Sequence, residues 1–213
     1  MENADPTPEA PRLTSPLSVV LMVLAAGLAV LAVALPAIQV GRGEAVATVD
    51  LSPSATATAL GSVELATGHV TATGNDRVTV NLVVSELPDG QPVGTLAKLA
   101  TQAGTFLWLT GLAVICFLLA RVLADIGAGR PFEAPQARRF TLIALAVVVC
   151  SAGADTVNYL QARALTASIG DPAAIAVTPY YSAIPLVLAA VSLVLAGAFR
   201  SGRRIQADTE GLI

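Results

Sequence analysis

The residue best suited to acid–base or metal chemistry is the one histidine, His69, which has Glu64 and Asp76 nearby along the chain. A catalytic or metal site needs several converging ligands, or a nucleophile with a base and a group that orients the base. The sequence offers no Ser-His-Asp spacing, no paired histidines, no Gly-rich phosphate loop and no close pair of cysteines. We therefore interpret His69 as an exposed strand histidine. We predict no catalytic residue, no metal and no cofactor, and a chain that is not an enzyme.

The two cysteines, Cys116 and Cys150, each lie inside a strongly apolar run. Small buried side chains are the favoured interpretation of both. A disulfide between facing helices is the alternative.

Asp155 is the most unusual residue for its position, because it lies late in a long apolar run. Asn158 follows three residues later, so both side chains project from one face of a helix. An ionisable residue in a membrane helix is costly and indicates a functional site by default. The alternatives are an ion or proton site, a charge partner for Arg163, or a helix that ends here and leaves Asp155 at the outer headgroups.

Arginine is concentrated in two short segments, the first of which also holds a Pro-Phe pair. The residues concerned are Arg130, Pro131, Phe132, Arg138, Arg139, Arg200, Arg203 and Arg204. Three interpretations apply: contact with anionic lipid headgroups, a docking surface for a cytoplasmic protein, and direct contact with nucleic acid. Nucleic-acid contact is the weakest of the three, because the patch is short and the formal net charge of the chain is −3.

The composition identifies the surroundings in which these residues act. Hydrophobic residues make up 54% of the 213 residues and charged residues 13%, compared with about 25% charged residues in a typical globular protein. A chain this apolar cannot cover its surface in water, which excludes an ordinary soluble domain. The 17 glycines suit helices that pack closely in lipid.

Four apolar runs are long enough to cross a bilayer core of about 30 Å. We predict a membrane α-helical fold, a four-helix transmembrane bundle with a small extracytoplasmic antiparallel β domain between helices 1 and 2. The predicted segments are a cytoplasmic tail 1–15, helix 1 at 16–40, the β-rich domain 41–99, helix 2 at 104–124, a cytoplasmic Arg-rich loop 125–139, helix 3 at 140–159, an extracytoplasmic loop 160–179, helix 4 at 180–199 and a cytoplasmic tail 200–213.

The distribution of basic residues predicts the orientation. With both termini cytoplasmic, eight Arg fall inside and four Arg or Lys outside, as the positive-inside rule favours. The first span also resembles a secretory signal, with Ala32-Val33-Ala34 as a cleavage triplet. Its long apolar core and acidic start favour retention as an anchor.

The β domain is predicted from alternation of apolar and polar residues at 78–82, with a partner strand at 69–73 and turn residues at 74–76. Weaker strand patterns occur at 46–51 and 63–66. A domain of this size has a marginal core, so it leans on the helix ends or on a second copy of the chain, which would make a homo-oligomer.

The cytoplasmic motifs resemble those of a known family. Gly129-Arg130-Pro131-Phe132, followed by Gln136-Ala137-Arg138-Arg139-Phe140, resembles the motif of a bacterial membrane family catalogued as domain of unknown function 2975. There, a Gly-x-Pro-Phe turn precedes an Asn-x-Arg-Arg-Leu-Arg helix start. Residues 198–213 resemble its closing Phe-Arg-x-Gly and its acidic Glu-Gly-Leu-Val tail. The chain departs from the pattern at Gln136, Thr141 and Gly197, where Asn, Arg and an acid are common.

The resemblance implies four spans, a long first outer loop and an arginine-bearing inner loop, but no biochemical activity. Family members are often encoded beside a small helix-turn-helix regulator, which implies a cytoplasmic protein partner of that kind. We predict a sensing, regulatory or scaffolding protein of the bacterial plasma (inner) membrane. The alternative is a small transporter or channel subunit in which Asp155 and Asn158 line the pathway.

Overall fold

The computed structural model describes residues 16–42, 45–51, 70–73, 77–84, 94–130, 134–169 and 181–210. Several predicted features lie outside these ranges. They are His69 with Glu64 and Asp76, the strand at 63–66, the Pro131-Phe132 pair, the tail 1–15 and residues 211–213.

Four long helices make up most of the described chain. They are α1 (Pro16–Arg42), α2 (Thr95–Gly127), α3 (Ala134–Ile169) and α4 (Ile184–Glu210). Each contains a sufficiently apolar stretch of 25 to 30 residues, and about 20 residues suffice to cross a bilayer. By length and composition, the prediction of four spanning helices is confirmed, and the chain is a multi-pass membrane protein.

The side chains of these helices are arranged as lipid surroundings require. Large apolar residues face outward: the exposed fraction is 67% for Val23 and 73% for Val194. The residues buried on the two outer helices are small, namely Ser18, Ala25 and Ala32 on α1, and Ala189, Ser192 and Ala196 on α4. Small residues let helix backbones approach closely where lipid, and not water, covers the outer surface.

Each helix packs chiefly against its neighbour in the sequence, α1 on α2, α2 on α3 and α3 on α4. The end of α2, the beginning of α3 and the middle of α4 meet on one side of this arrangement. We call it the arginine-rich side, since it carries the arginines of residues 121–139 and 200–204.

Three helices extend further towards the arginine-rich side than the predicted spans, α2 by three residues to Gly127. α3 begins at Ala134, inside the predicted loop 125–139, and α4 continues to Glu210, through most of the predicted tail 200–213. The spans were delimited by charge, but Arg and Gln have good helix propensity and continue the helix beyond its apolar part.

On the opposite side, α2 begins at Thr95 and α3 continues to Ile169. The predicted β-rich segment 41–99 therefore includes the first turn of α2. The predicted outer loop 160–179 begins as helix. α3 does not end near Asp155, because the Leu, Gln, Ala and Arg residues that follow Tyr159 are good helix formers.

Three short strands lie between α1 and α2: β1 (Ala45–Leu51), β2 (Val70–Thr73) and β3 (Arg77–Val84). They pair antiparallel in the order β1-β3-β2. Val70 pairs with Val80 and Leu51 with Val78. The structure thus shows two strand pairings, and the extracytoplasmic β domain stays a prediction.

Candidate functional site

The turn after α2 positions the candidate site. Gly129 has φ +74°, a left-handed conformation that favours glycine. Its N–H donates to the carbonyl of Ile126, and the N–H of Arg130 donates to the carbonyl of Asp125, both at 3.0 Å. These two bonds form a Schellman motif, which ends α2 and satisfies its last carbonyls. Asp125 is therefore held by its main chain at the end of α2.

The side chain of Asp125 joins α2 to α3 through an ion pair. Its Oδ2 lies 2.5 Å from Nη1 of Arg139, and each side chain has an exposed fraction of 19%. The same nitrogen also donates to the carbonyl of Arg121 at 3.2 Å. Charge-assisted bonds of this kind are the strong ones, and partial burial reduces their screening by water. The guanidinium of Arg139 is therefore used for contacts between α2 and α3.

Gln136 completes this group, which we call the inner clamp: Asp125, Gln136 and Arg139. Its Nε2 donates to Oδ2 of Asp125 at 3.0 Å, and its Oε1 accepts from Arg139 at 3.3 Å. Gln136 has an exposed fraction of 0%. A buried amide is costly unless it is hydrogen-bonded, and here its oxygen and its nitrogen each have a partner.

The inner clamp rests on an apolar cluster that brings in the fourth helix. The ring of Phe140, the residue after Arg139, stacks on that of Phe199 with 5.1 Å between centroids and 20° between planes. Val122, Ile143 and Ala196 complete the buried part of the cluster. α2, α3 and α4 are thus fixed to one another at the arginine-rich side.

The remaining arginines of this side point outward. Those that are exposed are Arg121, Arg130, Arg138, Arg200, Arg203 and Arg204. The structure therefore divides the predicted arginine set: Arg139 belongs to the inner clamp, whereas its neighbour Arg138 faces away from the packed helices. Positively charged, exposed groups at one end of a membrane helix bundle can meet anionic headgroups or an acidic protein surface.

Farther along α2 and α3, glycine sets the distance between the helices. A Cβ on Gly111 would overlap the side chain of Cys150, and one on Gly104 would overlap the amide of Asn158. Near the opposite end, Nε2 of Gln161 donates to the carbonyl of Ala100. From Ala100 to Asp125, α2 rises about 37 Å, so hydrogen bonds join α2 and α3 near both ends of the antiparallel pair.

The predicted intramembrane pair, Asp155 and Asn158, lies towards this opposite end of α3. Asn158 packs against α2 at Gly104, and Asp155 is partly buried and has an interaction partner of its own. The hydroxyl of Thr156, the residue after Asp155, lies 3.2 Å from that of Tyr181, which precedes α4. Asn158 thus takes part in the contact between α2 and α3, and Thr156 contacts the segment that leads into α4.

The cysteines are both free, Cys116 buried and Cys150 partly buried, so the alternative of a disulfide between helices is wrong. Within the part of the chain that the structure describes, no three His, Cys, Asp or Glu residues converge to hold a metal ion.

Sequence reasoning missed Asp125 as a member of the site. The available signal was an acid one helical turn after Arg121, at the end of an apolar run and ahead of an Arg-Arg pair. Comparisons of the chain with family models, with curated proteins and with solved structures found no match.

Proposed function

We propose that this chain is a non-enzymatic regulatory or scaffolding protein of the bacterial plasma membrane, with its arginine-rich side and both termini in the cytoplasm. One observation carries the proposal. The basic side chains of the arginine-rich side are divided between an internal ion pair at Arg139 and an exposed set on rigid helix ends, represented by Arg138 on α3 and Arg203 and Arg204 on α4. A fixed, solvent-facing charge pattern suits recognition of a partner.

The form of α4 supports this proposal. The helix continues eleven residues past Phe199 to Glu210, which is about 16 Å of helix beyond the aromatic stack. Arg203, Arg204 and Ile205 are exposed on this extension, Ile205 with a fraction of 66%. A helix that presents both charge and an apolar side chain resembles the interfaces that proteins use for one another.

In this proposal, the strands on the opposite side form the surface that receives a signal. α2 and α3 connect the two sides, and β1 contacts both of these helices. A partner protein of the helix-turn-helix type, as the family resemblance implies, would receive the output at the arginine-rich side.

Copurification from a mild detergent tests the proposal. We expect a cytoplasmic protein to be recovered with the native chain and lost with the triple variant Arg138→Ala, Arg203→Ala, Arg204→Ala. These side chains are exposed, so the variant retains the fold. A matched control, Arg42→Ala with Arg163→Ala, removes exposed arginines from the opposite side. The proposal would be overturned if the triple variant and the control variant recovered the cytoplasmic protein equally. It would also be overturned if no specific protein copurified with the native chain.

A transporter or channel subunit is the alternative. It requires Asp155 and Asn158 to line a pathway, whereas Asn158 packs against the backbone of α2 at Gly104. Flux into reconstituted vesicles that is lost in Asp155→Asn would favour this alternative over a regulatory role.

A further inference from the structure

A long apolar groove of about 520 Å³ lies between α1 and α2. Met22, Ala29 and Val33 line it on α1, and Phe106, Thr110 and Phe117 line it on α2. Thr110 is the one polar side chain among its lining residues. The volume lies within the range of about 300 to 1,000 Å³ typical of ligand pockets, but the lining lacks the convergent polar groups of a site for a polar metabolite.

The groove has the length of a lipid chain. On α2 it runs from Phe106 to Phe117, which is about 16 Å at 1.5 Å per residue. Half of a bilayer core is about 15 Å thick. Both helices cross the membrane here by length and composition, so the groove lies at the depth of the hydrocarbon chains.

The end of the groove nearest the arginine-rich side carries a positive charge. Arg121 lies one helical turn beyond Phe117, with its guanidinium carbon 5.4 Å from the centroid of that ring. The guanidinium is exposed. The acid one turn further along α2, Asp125, is bonded to Arg139 and Gln136. Arg121 therefore presents its charge beside the mouth of an apolar groove.

We propose that this groove and Arg121 together bind one anionic phospholipid, with its headgroup on the arginine-rich side. One acyl chain lies along the groove, and the phosphate group pairs with the guanidinium of Arg121. The positive charge of Arg121 matches the negative phosphate of such a lipid, and the apolar groove matches the length of its acyl chain. The planar fork of arginine suits the oxygens of a phosphate. This site is independent of the proposed protein partner, since none of the three arginines removed in that test lines the groove.

Thermal unfolding of the purified full-length chain in detergent, titrated with phosphatidylglycerol, tests the site. A ligand that binds only the folded state raises its stability with concentration. We expect phosphatidylglycerol to raise the midpoint temperature of unfolding. The variant Arg121→Gln should need about tenfold more phosphatidylglycerol for the same rise, as loss of one charge-assisted bond predicts. Arg42→Gln removes an exposed arginine from the other end of α1 and keeps the native response.

A second variant tests the groove itself. Ala29 is exposed and lines the groove, so Ala29→Phe fills it without disturbing a buried contact. Like Arg121→Gln, Ala29→Phe should reduce the rise in unfolding midpoint that phosphatidylglycerol causes. Ala190→Phe, on the exposed surface of α4, should leave that rise unchanged. Should Ala29→Phe fail to fold, Ala26→Leu fills the same groove by a smaller step. An equal response to phosphatidylcholine would indicate general lipid solvation and overturn the proposal. The proposal would also be overturned if inorganic phosphate alone raised the unfolding midpoint as much as phosphatidylglycerol does. The same would hold if Arg121→Gln responded to phosphatidylglycerol as the native chain does.

Discussion

Arg139 of α3 and Asp125 of α2 form an ion pair across the antiparallel helix pair, with 2.5 Å between Nη1 and Oδ2. We expect Arg139→Gln to lower the free energy of unfolding by about 2 kcal/mol, because a partly buried carboxylate loses its charged partner. Denaturation in detergent micelles measures the change. Arg138→Gln is the matched control: the residue is adjacent and exposed, and the expected change is within about 0.5 kcal/mol. Equal losses in the two variants would contradict the assignment.

A double-mutant cycle isolates the pair itself. With Asp125→Asn as the second change, the coupling energy should fall between about 0.5 and 3 kcal/mol, as for residues in direct contact. A coupling near zero would mean that Arg139 acts through its bonds to the carbonyl of Arg121 and to Gln136 and not through Asp125.

Gly111 should tolerate no side chain, because an added Cβ would overlap Cys150. We expect Gly111→Ala to cost about 1 to 3 kcal/mol of unfolding free energy, the usual effect of overpacking. Cys150→Gly in the same chain should restore most of it by removing the overlapping atoms. Gly27→Ala serves as the control, since nothing lies within 4 Å of a Cβ there. If Gly111→Ala is as stable as Gly27→Ala, the close approach of α2 and α3 is not present in the membrane.

The turn after α2 depends on Gly129, whose φ is +74°. Gly129→Ala should destabilise the chain by about 1 to 2 kcal/mol, the usual cost of the left-handed conformation for a residue with a Cβ. Gly197→Ala should instead be neutral or stabilising, since Gly197 lies within α4 with open space around it and Ala is the better helix former. Thermal unfolding of the two variants side by side provides the comparison.

The orientation can be tested with a thiol reagent that does not cross membranes. Ser201→Cys on the arginine-rich side should react only after cells are permeabilised, whereas Leu99→Cys should react in intact cells. Both positions are exposed and lie towards the ends of their helices, whereas Cys116 and Cys150 lie in the interior of the spanning helices. The basis is the excess of arginine on one side. The reverse pattern would place the termini outside the cytoplasm.

The four spans were predictable from sequence because length and apolarity suffice to identify a membrane helix. The inner clamp was not. Asp125 and Arg139 are fourteen positions apart, on different helices, and their contact exists only in the register in which α2 and α3 pack. Gly104 and Gly111 contribute to that register, and nothing in their spacing alone identifies Asn158 and Cys150 as the facing residues.

The extension of α4 was not predicted either, for a different reason. Charge at Arg200 marks the end of the apolar run but not the end of the helix. The residues that follow it, among them Arg203 and Gln206, keep the helical backbone. A helix can thus continue beyond the membrane, and the apolar run predicts where the membrane-spanning part ends but not where the helix ends.

The matched register of α2 and α3 limits how this protein can move. A slide of one turn, about 5.4 Å, would bring Gly111 away from Cys150 and separate Asp125 from Arg139. A piston movement of α2 past α3 would therefore have to break the ion pair and the close approach together. α4 is joined to the same pair by the stack of Phe140 on Phe199, whereas α1 packs chiefly against α2. Of the four helices, α1 is therefore the one that can tilt without breaking the inner clamp or the aromatic stack.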